Sequence, residues 1–467
     1  MKGIDTLVDA DCSHVSRRAY FDEEIFAKEQ KRVFRRAWQF VAHESEVVNH
    51  GDYVTRRLGS DPVIVVRAAN GDVNVLHNSC KHRGSQICPA DFGKSTMFRC
   101  GYHGWVYNNA GELRAVPGER ELYGKTLDRS KLSLTRAPHV EIFCGLIFAT
   151  WDPDALPLKE TLGAWAWYME AVFGKCEMEV VGPPTRILSH HNWKSGAENW
   201  AGDGYHGLVS HKLVFDLGMV TFDLAAWEAQ IAAGGSTAAA DAEIAKRAEC
   251  QIVSDKGGHA GFMVRQPFRF NPPAFLGYEP HLWPEFTARL STQQAEMASG
   301  RMFLVGTMFP NFSFQDGIVT GMGDDSPPVA TLTMRLWLPI SATETELVSW
   351  VLVPKAASAD WKRLSKKGFA RSLGVGGLFE VDDFQNWTGT AWAGAAPVGM
   401  AQDHDFTGCI DAQPSAEIDW PGHVYPGNYT DVMFRAMFSE WARMMEVAPS
   451  TTSKRRSSVA TSGVVAA

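Results

Sequence analysis

Two short segments each bring one thiol and one imidazole: Cys80-Lys81-His82 and Cys100-Gly101-Tyr102-His103, with 17 residues between His82 and Cys100. The mixture is informative. A 2Fe-2S cluster held by two cysteines on one iron and two histidines on the other takes one ligand of each kind from each of two loops, and the imidazoles raise its potential above that of an all-cysteine cluster. Structural Cys2His2 zinc sites instead pair Cys with Cys and His with His. Cys80, His82, Cys100 and His103 therefore read as cluster ligands. Gly84, Gly101 and Gly104 let the backbone turn tightly around the sulfurs, and Pro89 stiffens the loop outside them. Cys88, Cys144 and Cys176 have no partner at ligand spacing and read as small buried apolar residues.

A second constellation runs from Asn192-Trp193-Lys194 through Glu198-Asn199-Trp200 to Asp203, His206 and His211. Five residues span about 500° on an ideal helix, so two rings that far apart diverge by roughly 140°. Both can face one metal only if the helix is widened or broken there, and Gly204 and Gly207 make a break easy. A third ligand must come from elsewhere, and the acidic run Glu380-Val381-Asp382-Asp383 is the best source. Two histidines and one carboxylate leave positions open for dioxygen, the arrangement of non-haem iron(II) oxygenases. Alone, a pair of histidines five apart is more often a hydrogen-bonded core feature; beside the first constellation it reads as a metal centre. Asp203, three residues before His206, can hold that imidazole by a hydrogen bond.

The chain that must position these groups has 467 residues and a formal charge of −8. Its 45% hydrophobic and 21% charged content is that of an ordinary globular protein. With no basic block except Lys454-Arg455-Arg456, nucleic acid is excluded as the main partner. The longest apolar stretch, Ile142 to Trp151, is far short of the ~20 residues of a membrane span, and acids stand where a signal peptide needs an apolar core. The cytoplasm is the expected location, and the sparse cysteines suit metal chemistry in a reducing compartment.

The pattern predicts an α+β chain. Asp22 caps a helix with apolar Phe26, Val33, Phe34 and Ala37, a helical lead-in over 1–37. From 38 to 155, β-rich runs such as Val63 to Val66 and Val73 to Leu76 alternate with turn signals at Asn70-Gly71 and Asn109-Ala110-Gly111, which implies a small antiparallel β domain. The breakers of Asp152-Pro153-Asp154 through Pro157 place a boundary near 155; beyond it, Leu162, Trp165, Met169 and Val172 recur at helical spacing up to Gly174. The alternation Leu332, Met334, Leu336, Leu338 implies a half-buried sheet in a second domain over 156–447. Ala225 to Ala248 is expected to be a surface helical excursion, and 448–467 a disordered tail.

In their order, Cys80-x-His82-Arg83-Gly84, Cys100-x-x-His103-Gly104-Trp105, Asn192-Trp193-Lys194, Glu198-Asn199 and Asp203-x-Tyr205-His206-x4-His211 resemble the large (alpha) subunit of Rieske non-haem iron aromatic-ring-hydroxylating oxygenases, over roughly residues 20–445. The resemblance implies a Rieske domain followed by a helix-grip-like catalytic domain, an antiparallel sheet flanked by helices around iron. It implies His206, His211 and Asp383 as iron ligands, Asp383 being preferred to Asp382 because it stands three residues before Asn386. It also implies that Asp203 bridges His206 to the cluster histidine, here His103, of a neighbouring subunit in a homotrimer or an alpha3beta3 hexamer. The reaction implied is cis-dihydroxylation of an aromatic ring by dioxygen, with NADH as the ultimate donor.

No dinucleotide fingerprint is present: Gly374-Val-Gly376-Gly-Leu-Phe379 lacks its third Gly, and Gly93-Lys94-Ser95 has Cys88 where a phosphate loop needs its first Gly. With no nucleotide held by this chain, a flavin reductase and a ferredoxin are implied as partners, and Lys81, Arg83, Lys94 and Arg99 can attract an acidic ferredoxin. By family position Asn199, Trp200, Gly207, Leu373 and Phe379 line the pocket. The residues near the ligands, among them Leu208, Leu213, Phe215 and Leu217, are mostly apolar, and Lys212 is the one cation between Asn199 and Leu217. A buried substrate carboxylate needs a cationic partner, so a neutral, mono- or polycyclic aromatic is favoured. The alternatives are a Rieske monooxygenase or demethylase, or an aromatic-acid hydroxylase, with the same metals. A non-enzymatic electron carrier would have no use for His206, His211 and Asp383.

Overall fold

The computed structural model of the chain describes residues 7–216, 248–265, 275, 277–319, 329–427 and 429–446. The excursion expected from Ala225 falls, apart from Ala248, outside the described residues, as do Leu217 and the expected tail.

Asp22 caps helix α1 (Glu23–Glu29) by accepting the amides of Glu24 and Ile25, as its position before an apolar period predicts. The chain continues through a π-helical turn, Gln30–Phe34. Its buried face packs on the larger of the protein's cores: Phe34 meets Trp193 edge-on at 5.0 Å. At the end of α1, Glu29 is fully buried; it accepts Lys194 Nζ at 2.6 Å, Trp441 Nε1 at 2.6 Å and Trp193 Nε1 at 3.0 Å. A buried carboxylate is tolerated only when its oxygens are satisfied in this way.

Three small antiparallel sheets follow. One orders Val73–His77, Asp61–Arg67, Asp52–Leu58 and Phe92–Lys94; the second, Met97–Arg99, Val106–Asn108 and Leu113–Ala115; the third, His139–Phe143, Leu146–Thr150 and Gln39–His43. The expected hairpin pairs Val63 with His77 and Arg67 with Val73. Each metal-ligand motif thus sits on a loop between strands, Cys80 and His82 before Phe92–Lys94, Cys100 and His103 between Met97–Arg99 and Val106–Asn108.

The remainder is built on a nine-stranded antiparallel sheet. Met178–Val180 and Thr185–Ser189 both pair with Glu344–Pro354; the order then runs through Val329–Ser341, Phe312–Val319, Arg301–Met308, Ala260–Arg265 and Ala248–Val253 to His423–Pro426. The helical period before it ends at Gly174, which closes α2 (Trp165–Phe173). Six of its nine strands, Ala248–Val253 through Glu344–Pro354, pair antiparallel in chain order, an α+β arrangement as the sequence predicts.

One expectation is corrected here. The alternating strand Val329–Ser341 does not present a solvated face: Thr331, Thr333 and Arg335 are as buried as Leu332 and Met334. Helices cover the polar side. Helix α3 (Trp193–Gly202) lies on it so closely that a Cβ at Gly196 would stand 2.3 Å from the Trp337 ring. Helix α4 (Ala359–Ser372) is tied to it by Ser365 Oγ donating to Ala330 O at 2.8 Å. Helix α5 (Leu378–Gly394) follows α4, and α6 (Val432–Met445) packs against α3.

Candidate functional site: two metal centres

The two cluster loops repeat one backbone solution. Gly84 N–H donates to Cys80 O at 2.8 Å and Gly104 N–H to Cys100 O at 3.0 Å; Cys80 N–H donates to Ser85 O and Cys100 N–H to Trp105 O. Both glycines have φ +74°, a region that side-chain-bearing residues rarely adopt, so glycine four residues after each cysteine is a geometric requirement. The two thiols are buried and interact with each other, and the two imidazoles lie together, ring centroids 4.5 Å apart. His82 also stacks on Trp105 at 4.9 Å. Thiols with thiols and imidazoles with imidazoles is the grouping a two-iron cluster takes. Burial opposes the Cys100 thiolate, but the backbone amides of Tyr102 and His103 hold its pKa below the ordinary cysteine value. Tyr107 is a residue that spacing did not reveal: its buried hydroxyl lies 3.3 Å from Cys80 Sγ and accepts the Lys81 amide.

In the second centre the helix breaks as the spacing requires. Helix α3 begins at Asn192, whose side chain accepts the Lys194 amide, and stops at Gly202. Asp203 closes it: Oδ1 accepts the His206 amide at 3.3 Å, and Oδ2 lies 3.3 Å from His206 Nδ1. His206 opens a single 3-10 turn, and His211 precedes a short helix, Lys212–Asp216. The two Nε2 atoms come within 3.0 Å, and Asp383 Oδ1 on α5 lies 3.4 Å from the first and 3.2 Å from the second. One ligand atom from each of the three lies within 4.8 Å of the others, the one such group among the described residues. Two imidazoles and a buried carboxylate converging on one point fit a mononuclear iron(II).

The three groups are electrostatically coupled. Burial disfavours the charged His206, yet its hydrogen bonds to Asp203 and Asp383 push its pKa up to about 10. Burial raises Asp383, but the adjoining imidazoles hold it at about 2. Asp383 thus stays ionised where a cation is wanted. Asp382 faces the other imidazole nitrogen: its side chain is 35% exposed and lies 3.6 Å from His211 Nδ1.

Of the five expected pocket positions, three stand at the histidines. Asn199 Nδ2 is 3.4 Å from His206 Nε2, Phe379 lies edge-on to His211 at 4.9 Å, and a Cβ at Gly207 would meet nothing within 4 Å among the described residues. The structure turns the other two inward. Trp200 is 2% exposed, with the Arg335 guanidinium 4.2 Å over its ring, and Leu373, 4% exposed, gives its carbonyl to Arg335 Nη2 at 2.9 Å. Both residues touch Arg335, which stands at a polar position of a covered strand. Arg335 also pairs with Glu380, both fully buried. An arginine inside an alternating apolar strand is the signal that would have marked it.

Glu198 was visible only as part of a motif. Its carboxylate accepts the hydroxyl of Tyr20 from the N-terminal segment. Burial pushes it up to about 8, against the Tyr20 hydrogen bond and helped by the charge of Asp203. The unfolded chain gives up this proton near 4.5 and the folded chain near 8, so the group's stabilising contribution is complete below pH 4.5 and is lost as pH rises to 8. Glu198→Gln is therefore expected to flatten the fall of the thermal midpoint over that window. An unchanged pH profile would show that Glu198 is ionised in the fold.

Comparison with known proteins accords with this geometry. Residues 37–131 match the Rieske [2Fe-2S] domain. The N,N-dimethyl phenylurea N-demethylase subunit alpha of Sphingobium sp. (strain YBL2) is 32% identical over 446 residues, 93% of this chain and 91% of that one. The large oxygenase component of the naphthalene 1,2-dioxygenase system of Pseudomonas aeruginosa is 33% identical over 376 residues, 78% of this chain and 76% of that one. Among solved structures, naphthalene 1,2-dioxygenase from Rhodococcus sp. bound to indole superimposes with a TM-score of 0.83 at 32% identity, covering 92% of this chain and 94% of that one. Fold and site define an oxygen-incorporating oxidoreductase with a Rieske 2Fe-2S cluster and a mononuclear iron. The chain belongs to the family of Rieske non-haem iron ring-hydroxylating oxygenase large subunits.

Proposed function

We propose that this chain is the terminal oxygenase large subunit of a system that cis-dihydroxylates a neutral aromatic ring, with NADH as ultimate donor through a reductase and a ferredoxin. The observation that carries the reading is the convergence of His206, His211 and Asp383, with the apolar Phe379 and the unfilled side of Gly207 beside it. When bound, the iron supplies dioxygen activation and the cluster supplies the electron. Cys80, His82, Cys100 and His103 hold the cluster in this reading; His206, His211 and Asp383 hold the iron, Asp203 fixes the His206 ring, and the Asn199 amide stands where it can orient a bound molecule.

Neutrality of the substrate has support from the buried cations. Arg335 and Lys194, on the elements behind the site, are already matched to Glu380 and Glu29, so neither offers its charge to a substrate carboxylate. Assembly as a trimer, alone or with a small beta subunit, is supported by exposed aromatics beside both centres: Tyr102 next to His103 is 64% exposed and Tyr205 next to His206 is 73% exposed. Among the described residues no helix is long and apolar enough to cross a membrane. We place the system in the cytoplasm, where NADH is supplied.

A demethylase reading has its own support, the match over 93% of the chain to a relative of that name. Oxygen-18 labelling separates the two. Iron-loaded protein with a ferredoxin, reductase, NADH and labelled dioxygen is expected to place two labelled atoms on adjacent carbons of a neutral aromatic. One labelled atom, or release of formaldehyde, would transfer the chain to the second reading.

A further inference from the structure

The fully buried Arg335 is not explained by ligand binding or by the sheet it belongs to. Its strand, Val329–Ser341, is an interior strand of the nine-stranded sheet, and its guanidinium touches three other elements at once. One face lies 4.2 Å from the ring of Trp200 on α3, the helix that leads to Asp203 and His206. Nη2 donates to Leu373 O, at the end of α4, and to Glu380 in the first turn of α5. Glu380 precedes Asp383 by three residues, so both stand on one helical face, and both are buried there. The guanidinium is thus one point at which the helix leading to His206 meets the Asp383-bearing helix; Asn386 Nδ2 on α5, donating to Ser210 Oγ at 2.9 Å, ties the histidine segment to α5 directly.

We propose that Arg335 is a positioning residue that sets the distance between the histidine pair and Asp383, with Glu380 as its lever on α5; this rests on the reading of Asp383 as an iron ligand. Stability alone does not account for the pair. A buried ion pair repays its desolvation poorly, and two well-packed apolar side chains commonly serve as well or better. Apolar side chains cannot, however, hold a carboxylate and a carbonyl at fixed angles from one planar fork while that plane lies against an indole. Among the described residues, Nη2 makes both of the guanidinium's hydrogen bonds, to Leu373 O and Glu380, so these two contacts and the Trp200 ring fix its orientation. A carboxylate ligand displaced by about 1 Å loses most of its value, because metal sites and catalytic groups demand placement to within that margin.

The test uses two variants of the full chain, Arg335→Lys and the double replacement Arg335→Met with Glu380→Leu. Lysine keeps the charge opposite Glu380 but lacks the fork and the flat face; the double variant removes both charges together and leaves no uncompensated ion. Mononuclear iron is measured per Rieske cluster, by competition with a chelator and by the electron paramagnetic resonance of the nitric oxide complex, with the cluster spectrum and thermal midpoint as controls of folding. Both variants are expected to keep the cluster and to bind mononuclear iron about 10- to 100-fold more weakly, with an altered nitrosyl signal. A role in packing alone would move the thermal midpoint without moving the iron. Iron affinity and signal unchanged in either folded variant would overturn the proposal, and Arg335→Lys decides it alone should the double variant fail to fold. An Asp383→Ala protein that retained its iron would instead overturn the ligand assignment beneath it.

Discussion

Replacing Asp383 by alanine is expected to strip the mononuclear iron from the protein while the Rieske cluster keeps its spectrum, and to lower turnover by on the order of 10^3-fold or more, the scale on which removal of one member of a catalytic constellation acts. The reason is geometric. Among the described residues Asp383 Oδ1 is the one carboxylate oxygen within 3.4 Å of both Nε2 atoms, and the side chain is 5% exposed, so a neighbouring acid does not replace it without rebuilding the site. Asp382→Ala supplies the contrast. Its carboxylate faces His211 Nδ1 from a partly exposed position and orients that ring at most, so iron is expected to remain with an affinity loss within about tenfold. Metal analysis of the two purified proteins, with cluster absorbance as the internal standard, reads both outcomes. Iron retained by the Asp383 variant and lost by the Asp382 variant would reverse the assignment.

The second large effect belongs to Asp203. Its two oxygens serve His206 twice, through the backbone amide and through Nδ1, so it determines both where the turn begins and how the ring is held. Asp203→Ala is expected to leave both metals bound, since Asp203 supplies none of the three converging atoms, yet to lower product formation by about 100-fold. The substrate KM should change little. Single-turnover reduction of the iron, followed by the cluster's bleaching and recovery, locates the loss in electron delivery if Asp203 bridges to the cluster of a neighbouring subunit. Full activity in the variant would sink the bridging role, and loss of iron would show that Asp203 acts chiefly by holding the histidine in place.

Much of this was legible in the residues because it is local. The Cys-x-His and Cys-x-x-His motifs, with glycine four residues after each cysteine, are solved within single loops, and both loops adopt the same hydrogen bonds and φ +74°. The helix break between His206 and His211 follows from a helical period of 3.6 residues, and the cap at Asp22 from the hydrogen-bonding needs of a first turn. Read from spacing alone the third ligand was legible as a run of acids; the family resemblance preferred Asp383 by its place three residues before Asn386. Spacing within a helix says which of Asp382 and Asp383 shares a face with Glu380, but not which face meets the histidines.

That choice lay with the tertiary structure. The strand around Arg335 alternates as a half-solvated strand would, and only the seating of α3 and α4 on its polar side turns Arg335 into a buried cation that must find Glu380, Leu373 and Trp200. Two expected pocket residues, Trp200 and Leu373, are buried and touch that same guanidinium. By itself the sequence determined the two metal chemistries and the breaks in the chain that allow them, since those depend on neighbours a few residues apart. Only the packed fold brings Asp383 rather than Asp382 against both Nε2 atoms and sets which side chains stand beside them, because burial and charge pairing depend on what the rest of the chain brings against each face.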